Sequence, residues 1–269
     1  GDPTGTPILF LHGNPTWSYL WRDVMPELED QGRVIAVDLV GFGRSDKPEI
    51  GYRFEDHREY LDSFITQMGL ENITLVIHDW GSGLGFDYAS RNPDNVKAIA
   101  FMEAMLPPVP FAEIETLPAP FPDVFIPLRT EGVGEELILN QNFFVEGILA
   151  SDAQITDETV LNAYRAPFPT PETRLPTLVW PREVPFGGEP EDVAAIVEDY
   201  SAWVVATDTP MLLLYVTPGA LTPEAGVQWA EENITNLEMV FLGEGGHFIQ
   251  ELYPDAIGEA IANWLNNLS

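Results

Sequence analysis

Residues 78 to 83, His-Asp-Trp-Gly-Ser-Gly, place a carboxylate where a short apolar run meets a helix-like stretch. The apolar run, Ile73 to Ile77, predicts a strand, and a strand, a sharp turn and a helix in that order present a nucleophile. Asp79 occupies the nucleophile's position, and Gly81 fits the close backbone approach of such a turn. Ser82 is out of register for a serine nucleophile. Such a serine has one residue between itself and each flanking glycine, whereas Gly81 and Gly83 flank Ser82 directly. Asp79 is also a suitable helix N-cap, so this segment alone leaves two roles open.

A histidine follows the last predicted strand in a glycine-rich loop, residues 243 to 248, Gly-Glu-Gly-Gly-His-Phe. Imidazole is the most common general base in enzymes, which makes His247 the candidate base. The other three histidines have weaker claims. We expect His12 to brace the turn after the first strand, His78 to turn away from the nucleophile, and His57 to be solvated near a helix start. No two histidines have the spacing of metal ligands, so we predict no metal site.

Two neutral hydrogen-bond donors accompany the candidate nucleophile. The first predicted strand ends in His12-Gly13-Asn14-Pro15, the position of a loop that supplies an oxyanion-hole NH group. Asn14 adds a side-chain amide and Trp80 adds an indole NH, and neither side chain can act as a base. A turn asparagine and a buried tryptophan are both ordinary when met singly. Together beside Asp79, they predict a site for a leaving anion, with the backbone NH groups of Asn14 and Trp80 holding an oxyanion.

Short apolar runs alternate with helix-like stretches, a pattern typical of a mostly parallel sheet flanked by helices. The predicted strands are Ile8 to Leu11, Val34 to Asp38, Ile73 to Ile77, Val96 to Met102, Met211 to Val216 and Leu237 to Leu242. The predicted helices are Ser18 to Glu29, Glu55 to Met68, Gly81 to Arg91, Glu224 to Glu232 and Ala256 to Leu268.

The alternation breaks between the fourth and fifth strands, where about 100 residues carry many prolines and no clear strand. We interpret this stretch as an inserted helical cap, residues 106–186. The core domain would then comprise residues 1–105 and 187–269. The predicted fold class is therefore α/β, with one core domain and one insertion.

Composition excludes several classes of protein. The chain has no cysteine, so a disulfide framework, a thiolate nucleophile and a zinc-thiolate site are all absent. No apolar run approaches the roughly 20 residues that span a bilayer, and the start lacks the layout of a signal peptide. We therefore expect a soluble, cytoplasmic protein that does not bind membranes.

The chain is strongly acidic, with 43 aspartate and glutamate residues against 12 lysine and arginine residues and a formal charge of −31. Nucleic acid is a poor partner for such a surface. The acids are scattered in pairs such as Glu135-Glu136 and Glu231-Glu232, while Lys47 and Lys97 are the only lysines. We hypothesise a halophilic source, because molar salt shortens the Debye length to about 3 Å and screens the repulsion. The melting temperature should then rise with potassium chloride; a flat dependence would indicate an ordinary acidic protein.

Several segments together resemble the haloalkane dehalogenases of the α/β-hydrolase superfamily. They are residues 12–16 (His-Gly-Asn-Pro-Thr), 18–22 (Ser-Tyr-Leu-Trp-Arg), 38–48 (Asp-Leu-Val-Gly-Phe-Gly-Arg-Ser-Asp-Lys-Pro), 78–82 and 101–103 (Phe-Met-Glu). The resemblance covers nearly the whole chain, since residues 136–147 and 185–190 are similar to the family's cap. It implies an α/β-hydrolase fold and cleavage of carbon–halogen bonds through a covalent ester on Asp79, without a cofactor. The implied ligands are a small apolar halogenated substrate and a halide ion.

The resemblance also implies that Glu103 orients His247. The family's alternative position for this acid lies after the next strand, where residues 217–221, Thr-Pro-Gly-Ala-Leu, contain no carboxylate. Glu224 is the fallback acid. The positions that line the family's pocket correspond here to Phe125, Phe144, Ile148 and Leu221. The family has an N-terminal hairpin before its first strand, and the start at Gly1 leads us to expect either a trimmed chain or a different sheet edge.

Three other functions are compatible with parts of this pattern. An epoxide hydrolase uses the same aspartate and histidine but needs cap tyrosines, and residues 106–186 contain only Tyr164, with Tyr200 beyond that segment. Asn14 is also unexpected there, because those enzymes usually carry an aromatic residue. A light-emitting monooxygenase related to dehalogenases would differ at Pro15 and need a large pocket. A ligand-binding receptor would have no reason to keep the complete set of five functional side chains. These are Asp79, His247, Glu103, Asn14 and Trp80.

Overall fold

Six parallel strands form the centre of the protein, whose computed structural model describes residues 1–117 and 121–268. The strand order is β2-β1-β3-β4-β5-β6. The strands are β1 (Pro7–Leu11), β2 (Arg33–Val37), β3 (Ile73–Asp79), β4 (Val96–Ala104), β5 (Met211–Pro218) and β6 (Leu237–Gly245). Every residue of β3 is buried. A continuous apolar strand of this kind is typical of a parallel sheet that is covered on both faces.

Helices flank the sheet and fill the segment between β4 and β5. The α-helices are α1 (Phe54–Met68), α2 (Trp80–Arg91), α3 (Phe121–Arg129), α4 (Val133–Glu135), α5 (Ala150–Asp152), α6 (Glu158–Arg165), α7 (Leu175–Glu183), α8 (Glu191–Ala206), α9 (Glu224–Asn233) and α10 (Pro254–Asn267). Helix α2 packs against α1 and α8, and α10 packs against the 3-10 turn Met25–Leu28. In the described chain, no helix combines the length and the apolar character that a membrane crossing requires.

The segment between β4 and α8 contains helical segments but no strand among its described residues, which leave out 118–120. Besides α3 to α7 it contains two π-helical segments. Glu136–Asn140 directly follows α4, and Phe144–Leu149 directly precedes α5. Short 3-10 turns also occur in this segment, at Val109–Phe111, Ile114–Thr116, Glu172–Arg174 and Phe186–Gly188, and before β4, at Pro93–Asn95. The absence of a strand agrees with the sequence pattern.

One prediction of secondary structure is wrong, and one helix was not predicted individually. The predicted helix Ser18 to Glu29 is instead a pair of 3-10 turns, Ser18–Trp21 and Met25–Leu28. Pro26 lies within this stretch and has no backbone NH, which prevents one continuous helix. Helix α8 is not among the predicted helices; its first turn contains Glu191 and Asp192, whose negative charge is favourable at a helix N-terminus.

All six predicted strands are confirmed, and four of them extend further at the carboxyl end than the apolar runs indicate. β3 ends at Asp79, β4 at Ala104, β5 at Pro218 and β6 at Gly245. In a parallel sheet these ends meet at one edge. Strand topology therefore places the candidate nucleophile, the candidate acid and the glycine-rich loop at the same edge of the sheet.

Candidate active site

Asp79 lies at a sharp turn between β3 and α2. Its backbone has φ +52° and ψ −130°, a conformation that costs a non-glycine residue on the order of 1–3 kcal/mol. The side chain makes no capping hydrogen bond to helix α2, so the N-cap role has no support in this geometry. At Gly81, a Cβ atom would lie 2.3 Å from the carbonyl oxygen of Leu11, which explains why only glycine fits there. The geometry is that of a nucleophile elbow.

The His247 imidazole bridges two carboxylates. Its Nε2 lies 3.1 Å from Oδ2 of Asp79, and its Nδ1 lies 3.1 Å from Oε2 of Glu103. The three side chains come from β3, β4 and the loop that follows β6. The structure therefore brings together the predicted nucleophile, acid and base in one hydrogen-bonded line.

Glu103 is held by the loop after β5. Its Oε2 accepts the backbone NH groups of Ala220 at 2.9 Å and Leu221 at 2.8 Å, besides the His247 contact. Its own backbone has φ +45°, and only 2% of the residue is exposed. The loop where an alternative acid would lie thus serves as a donor to the acid on β4. Glu224, the fallback acid, is exposed at the start of α9 and makes no hydrogen bond to His247.

The two carboxylates determine the protonation of this site. Burial alone would lower the pKa of His247, but hydrogen bonds and charge attraction from Asp79 and Glu103 raise it to about 10. Burial likewise would raise the pKa of Asp79, and the contacts with His247 outweigh it and lower that pKa. At neutral pH the resting site therefore contains an ionised Asp79 beside an imidazolium.

Asn14 contacts the nucleophile through its backbone and the α7 helix through its side chain. Its NH donates to Oδ1 of Asp79 at 2.7 Å, and its Nδ2 donates to the carbonyl of Thr177 at 3.3 Å. One amide hydrogen is thereby fixed against α7 while the other stays available. Asn14 and Trp80 both line the cavity that also contains Asp79. The two predicted neutral donors therefore share the wall in which the nucleophile lies.

Trp80 is the first of three stacked rings. The indole of Trp180 lies on Trp80 with ring centroids 4.4 Å apart, and the ring of His57 lies on Trp180 at 4.2 Å. The expectation that His57 is solvated is wrong, because only 1% of it is exposed and burial lowers its pKa to about 3. Its position near the start of α1 does not reveal that α7 covers it. The local sequence contains no signal for this contact, which joins residues far apart in the chain.

The remaining histidines are structural supports. Leu39 donates its NH to Nε2 of His12 at 3.0 Å, and Nδ1 of His12 lies 2.9 Å from the Gly13 carbonyl, which confirms the predicted bracing of that turn. His78 Nε2 lies 2.9 Å from the carbonyl oxygen of His247, and burial lowers its pKa to about 3. His78 thus supports the backbone of the candidate base, a contact that sequence reasoning missed.

A cavity of about 380 Å³ adjoins Asp79 and His247, which both line its wall. Its wall contains all four predicted pocket residues, Phe125, Phe144, Ile148 and Leu221. Asp152 is a further wall residue that the sequence did not indicate, and neither lysine nor arginine occurs among the described residues of the wall. Within residues 1–117 and 121–268, no cluster of three or more histidine, aspartate or glutamate side chains has a geometry that could hold a metal ion.

Comparison with known proteins gives concordant matches. A family model described as the alpha/beta hydrolase fold matches residues 6–125. A haloalkane dehalogenase of Mesorhizobium japonicum is 45% identical over 97% of this chain and 85% of its own length. One from Sphingobium indicum is 44% identical over 99% of this chain and 90% of its own. The crystal structure of a haloalkane dehalogenase from Bradyrhizobium elkani superposes with a TM-score of 0.96 at 40% identity, covering 100% of this chain and 92% of that one.

Proposed function

We propose that this chain, which belongs to the haloalkane dehalogenase family, hydrolyses carbon–halogen bonds with Asp79 as the nucleophile. The enzyme is a hydrolase that acts on carbon–halide bonds. The residue assignment is supported by two contacts of the His247 ring: Nε2 lies 3.1 Å from Oδ2 of Asp79, and Nδ1 lies 3.1 Å from Oε2 of Glu103. Asn14 and Trp80 lie in the same cavity wall as that nucleophile.

In the first step, a carboxylate oxygen of Asp79 attacks the saturated carbon that bears the halogen. Asp79 needs no base for this, because its pKa is lowered and it is ionised. The carbon–halogen bond breaks as the new carbon–oxygen bond forms, which gives an alkyl ester and a halide ion. The Asn14 amide and the Trp80 indole donate to the departing halide. In a cavity shielded from water, such donors stabilise the transition state by about a few kcal/mol.

In the second step, His247 acts as the general base. Ester formation removes the negative charge of Asp79, which is one of the two charges that raise the pKa of His247, and the imidazolium releases its proton to solvent. His247 then takes a proton from a water molecule that attacks the ester carbonyl carbon, while Glu103 stabilises the imidazolium. The Asn14 NH, 2.7 Å from Oδ1 of Asp79, is placed to donate to the oxyanion, together with the NH of Trp80. The bond between the acyl carbon and the alkyl oxygen then breaks, the leaving oxygen takes the proton from His247, and the regenerated Asp79 carboxyl group gives its own proton to His247. The products are an alcohol, a halide ion and the proton that His247 released when the ester formed.

The substrate is an uncharged, small halogenated alkane. Phe125, Phe144, Ile148 and Leu221 supply apolar contacts for its carbon chain. The described cavity wall contains two carboxylates, Asp79 and Asp152, and neither lysine nor arginine, which disfavours an anionic substrate. We assign the closing of this cavity to the helical segment, residues 106–186, as a cap over a core of residues 1–105 and 187–269. The reaction consumes no cofactor.

The positions of the tyrosines argue against the alternative of an epoxide hydrolase. Tyr164 donates its hydroxyl hydrogen to Glu251, which also accepts Arg22 at 2.6 Å and 2.7 Å. Tyr200 donates to the carbonyl of Met105. Both tyrosines are fully buried, and neither is among the described residues of the cavity wall. Neither hydroxyl is available to protonate an epoxide oxygen.

We expect purified protein to release bromide from 1-bromohexane, together with one proton per bromide. Styrene oxide should be turned over far more slowly, because the described cavity wall supplies no tyrosine hydroxyl as an acid. The measurement is parallel assay of bromide and acid release for the haloalkane and of diol formation for the epoxide. Diol formation that outpaces bromide release from every haloalkane tested would reverse the assignment.

A further inference from the structure

A third carboxylate, besides those of Asp79 and Glu103, reaches the active site from the cap. Asp152 is the last residue of α5, and it follows the π-helical segment that carries Phe144 and Ile148 into the cavity wall. Asp152 itself lies in that wall. It is therefore a charged group in a mostly apolar cavity, and the two chemical steps described above do not use it.

The Asp152 carboxylate binds the backbone of the candidate base. Its Oδ2 accepts the NH groups of His247 and Phe248, each at 2.8 Å. Hydrogen bonds to an ionised acceptor are about twice as strong as neutral ones. On the opposite side of the same residue, His78 Nε2 contacts the His247 carbonyl oxygen at 2.9 Å. The peptide groups of His247 are thus held by Asp152 from the cap and by His78 from the core.

Gly246 makes room for this contact. A Cβ atom at Gly246 would lie 1.9 Å from Oδ1 of Asp152, so a larger residue would push the carboxylate away from the loop. The loop also contains Gly243 and Gly245, and glycines give it wide conformational freedom in the absence of fixed contacts. A glycine-rich loop that carries a general base needs external contacts to hold the base in one position.

We propose that Asp152 is a positioning residue that holds His247 in place for ester hydrolysis, an inference that rests on the proposed function. Asp79 attacks the substrate without a base, so the first step does not depend on the exact placement of His247. The second step does, because the imidazole must align a water molecule with the ester carbonyl. A misplacement of about 1 Å costs such a step up to about 10²-fold in rate. Loss of the Asp152 contact therefore slows alcohol formation selectively.

The test is a single-turnover experiment with 1-bromohexane in which bromide release and alcohol formation are followed separately. Asp152→Ala should slow alcohol formation by about tenfold to a hundredfold while the bromide burst remains. Asp152→Asn keeps an oxygen that can accept both NH groups, and it should recover most of the lost rate. Gly246→Ala displaces the same carboxylate from the other side, and it should reproduce the selective slowing even if Asp152→Ala does not fold.

Asp157→Ala is the matched control. Asp157 also accepts a backbone NH, that of Thr159 at 2.7 Å, but it lies outside the cavity wall at the start of α6. This variant should leave both steps at the wild-type rate. The proposal is overturned if Asp152→Ala slows both steps equally or neither, or if Asp152→Asn is as slow as the alanine variant. A wild-type protein that releases no bromide would instead overturn the proposed function.

Discussion

Asp79→Asn is expected to abolish bromide release from 1-bromoalkanes, with a loss of at least about 10⁴-fold in kcat. Asparagine has nearly the shape of aspartate, and its oxygen can still accept the Asn14 NH that lies 2.7 Å from Oδ1 in the wild type. It lacks the negative charge, however, and an amide is a very weak nucleophile toward a saturated carbon. The measurement is initial bromide release at saturating substrate.

Asp157→Asn is the control for this experiment, because it also converts a carboxylate to an amide but does so outside the cavity wall. It should retain full bromide release. Matching circular dichroism spectra would show that both variants are folded. Bromide release that survives in Asp79→Asn at more than a trace would exclude Asp79 as the attacking group.

His247→Phe is expected to release one bromide per active site and then stop. Asp79 can still attack the substrate, but no group remains to deprotonate the hydrolytic water, and a general base contributes about 10² to 10⁴-fold to such a step. The ester therefore accumulates. Intact-protein mass spectrometry should show the mass of the alkyl group, less one hydrogen, added to the chain.

Two controls show where the added group lies. The wild type under the same conditions should carry little adduct at completion, because its ester is hydrolysed. The double variant Asp79→Asn/His247→Phe should carry none, because the nucleophile is gone. Continued turnover of the single variant would contradict the role of His247 as the base, and an adduct of equal yield in the double variant would contradict the role of Asp79 as the nucleophile.

Local patterns made much of this fold predictable. The six strands are short apolar runs bounded by polar residues, glycine or proline, so they can be predicted from the local sequence alone. Asp79 is recognisable because a strand, a turn with Gly81 and a helix are adjacent in sequence. His247 is recognisable because the loop that carries it follows the last strand directly.

The resemblance to a family identified Glu103, and the structure supplies its physical reason. Glu103 lies in the middle of the chain with no local motif, and its partners Ala220 and Leu221 are more than a hundred residues away in sequence. No periodicity can show that these two NH groups converge on one carboxylate. The same limit applies to His57, which is buried by Trp180 from a distant helix.

The contact of Asp152 with the histidine loop was equally invisible in the sequence. Asp152 lies in a segment of irregular π-helical and α-helical turns, where side-chain direction cannot be inferred from a simple period. Its partners are two backbone NH groups, which leave no trace in residue type. Gly246 is the one local signal, because a glycine next to the candidate base is consistent with a close approach from outside.

The covalent attachment of the substrate carbon to Asp79 is the central claim, and isotope transfer in one turnover tests it directly. Wild-type enzyme in excess over 1-bromohexane is allowed to react once in water enriched in oxygen-18. Because water attacks the carbonyl carbon of the ester, the alcohol should contain ordinary oxygen from Asp79, and the peptide with residue 79 should become labelled. Oxygen-18 in the alcohol, with an unlabelled peptide, would show that water attacks the substrate itself and would contradict the covalent mechanism.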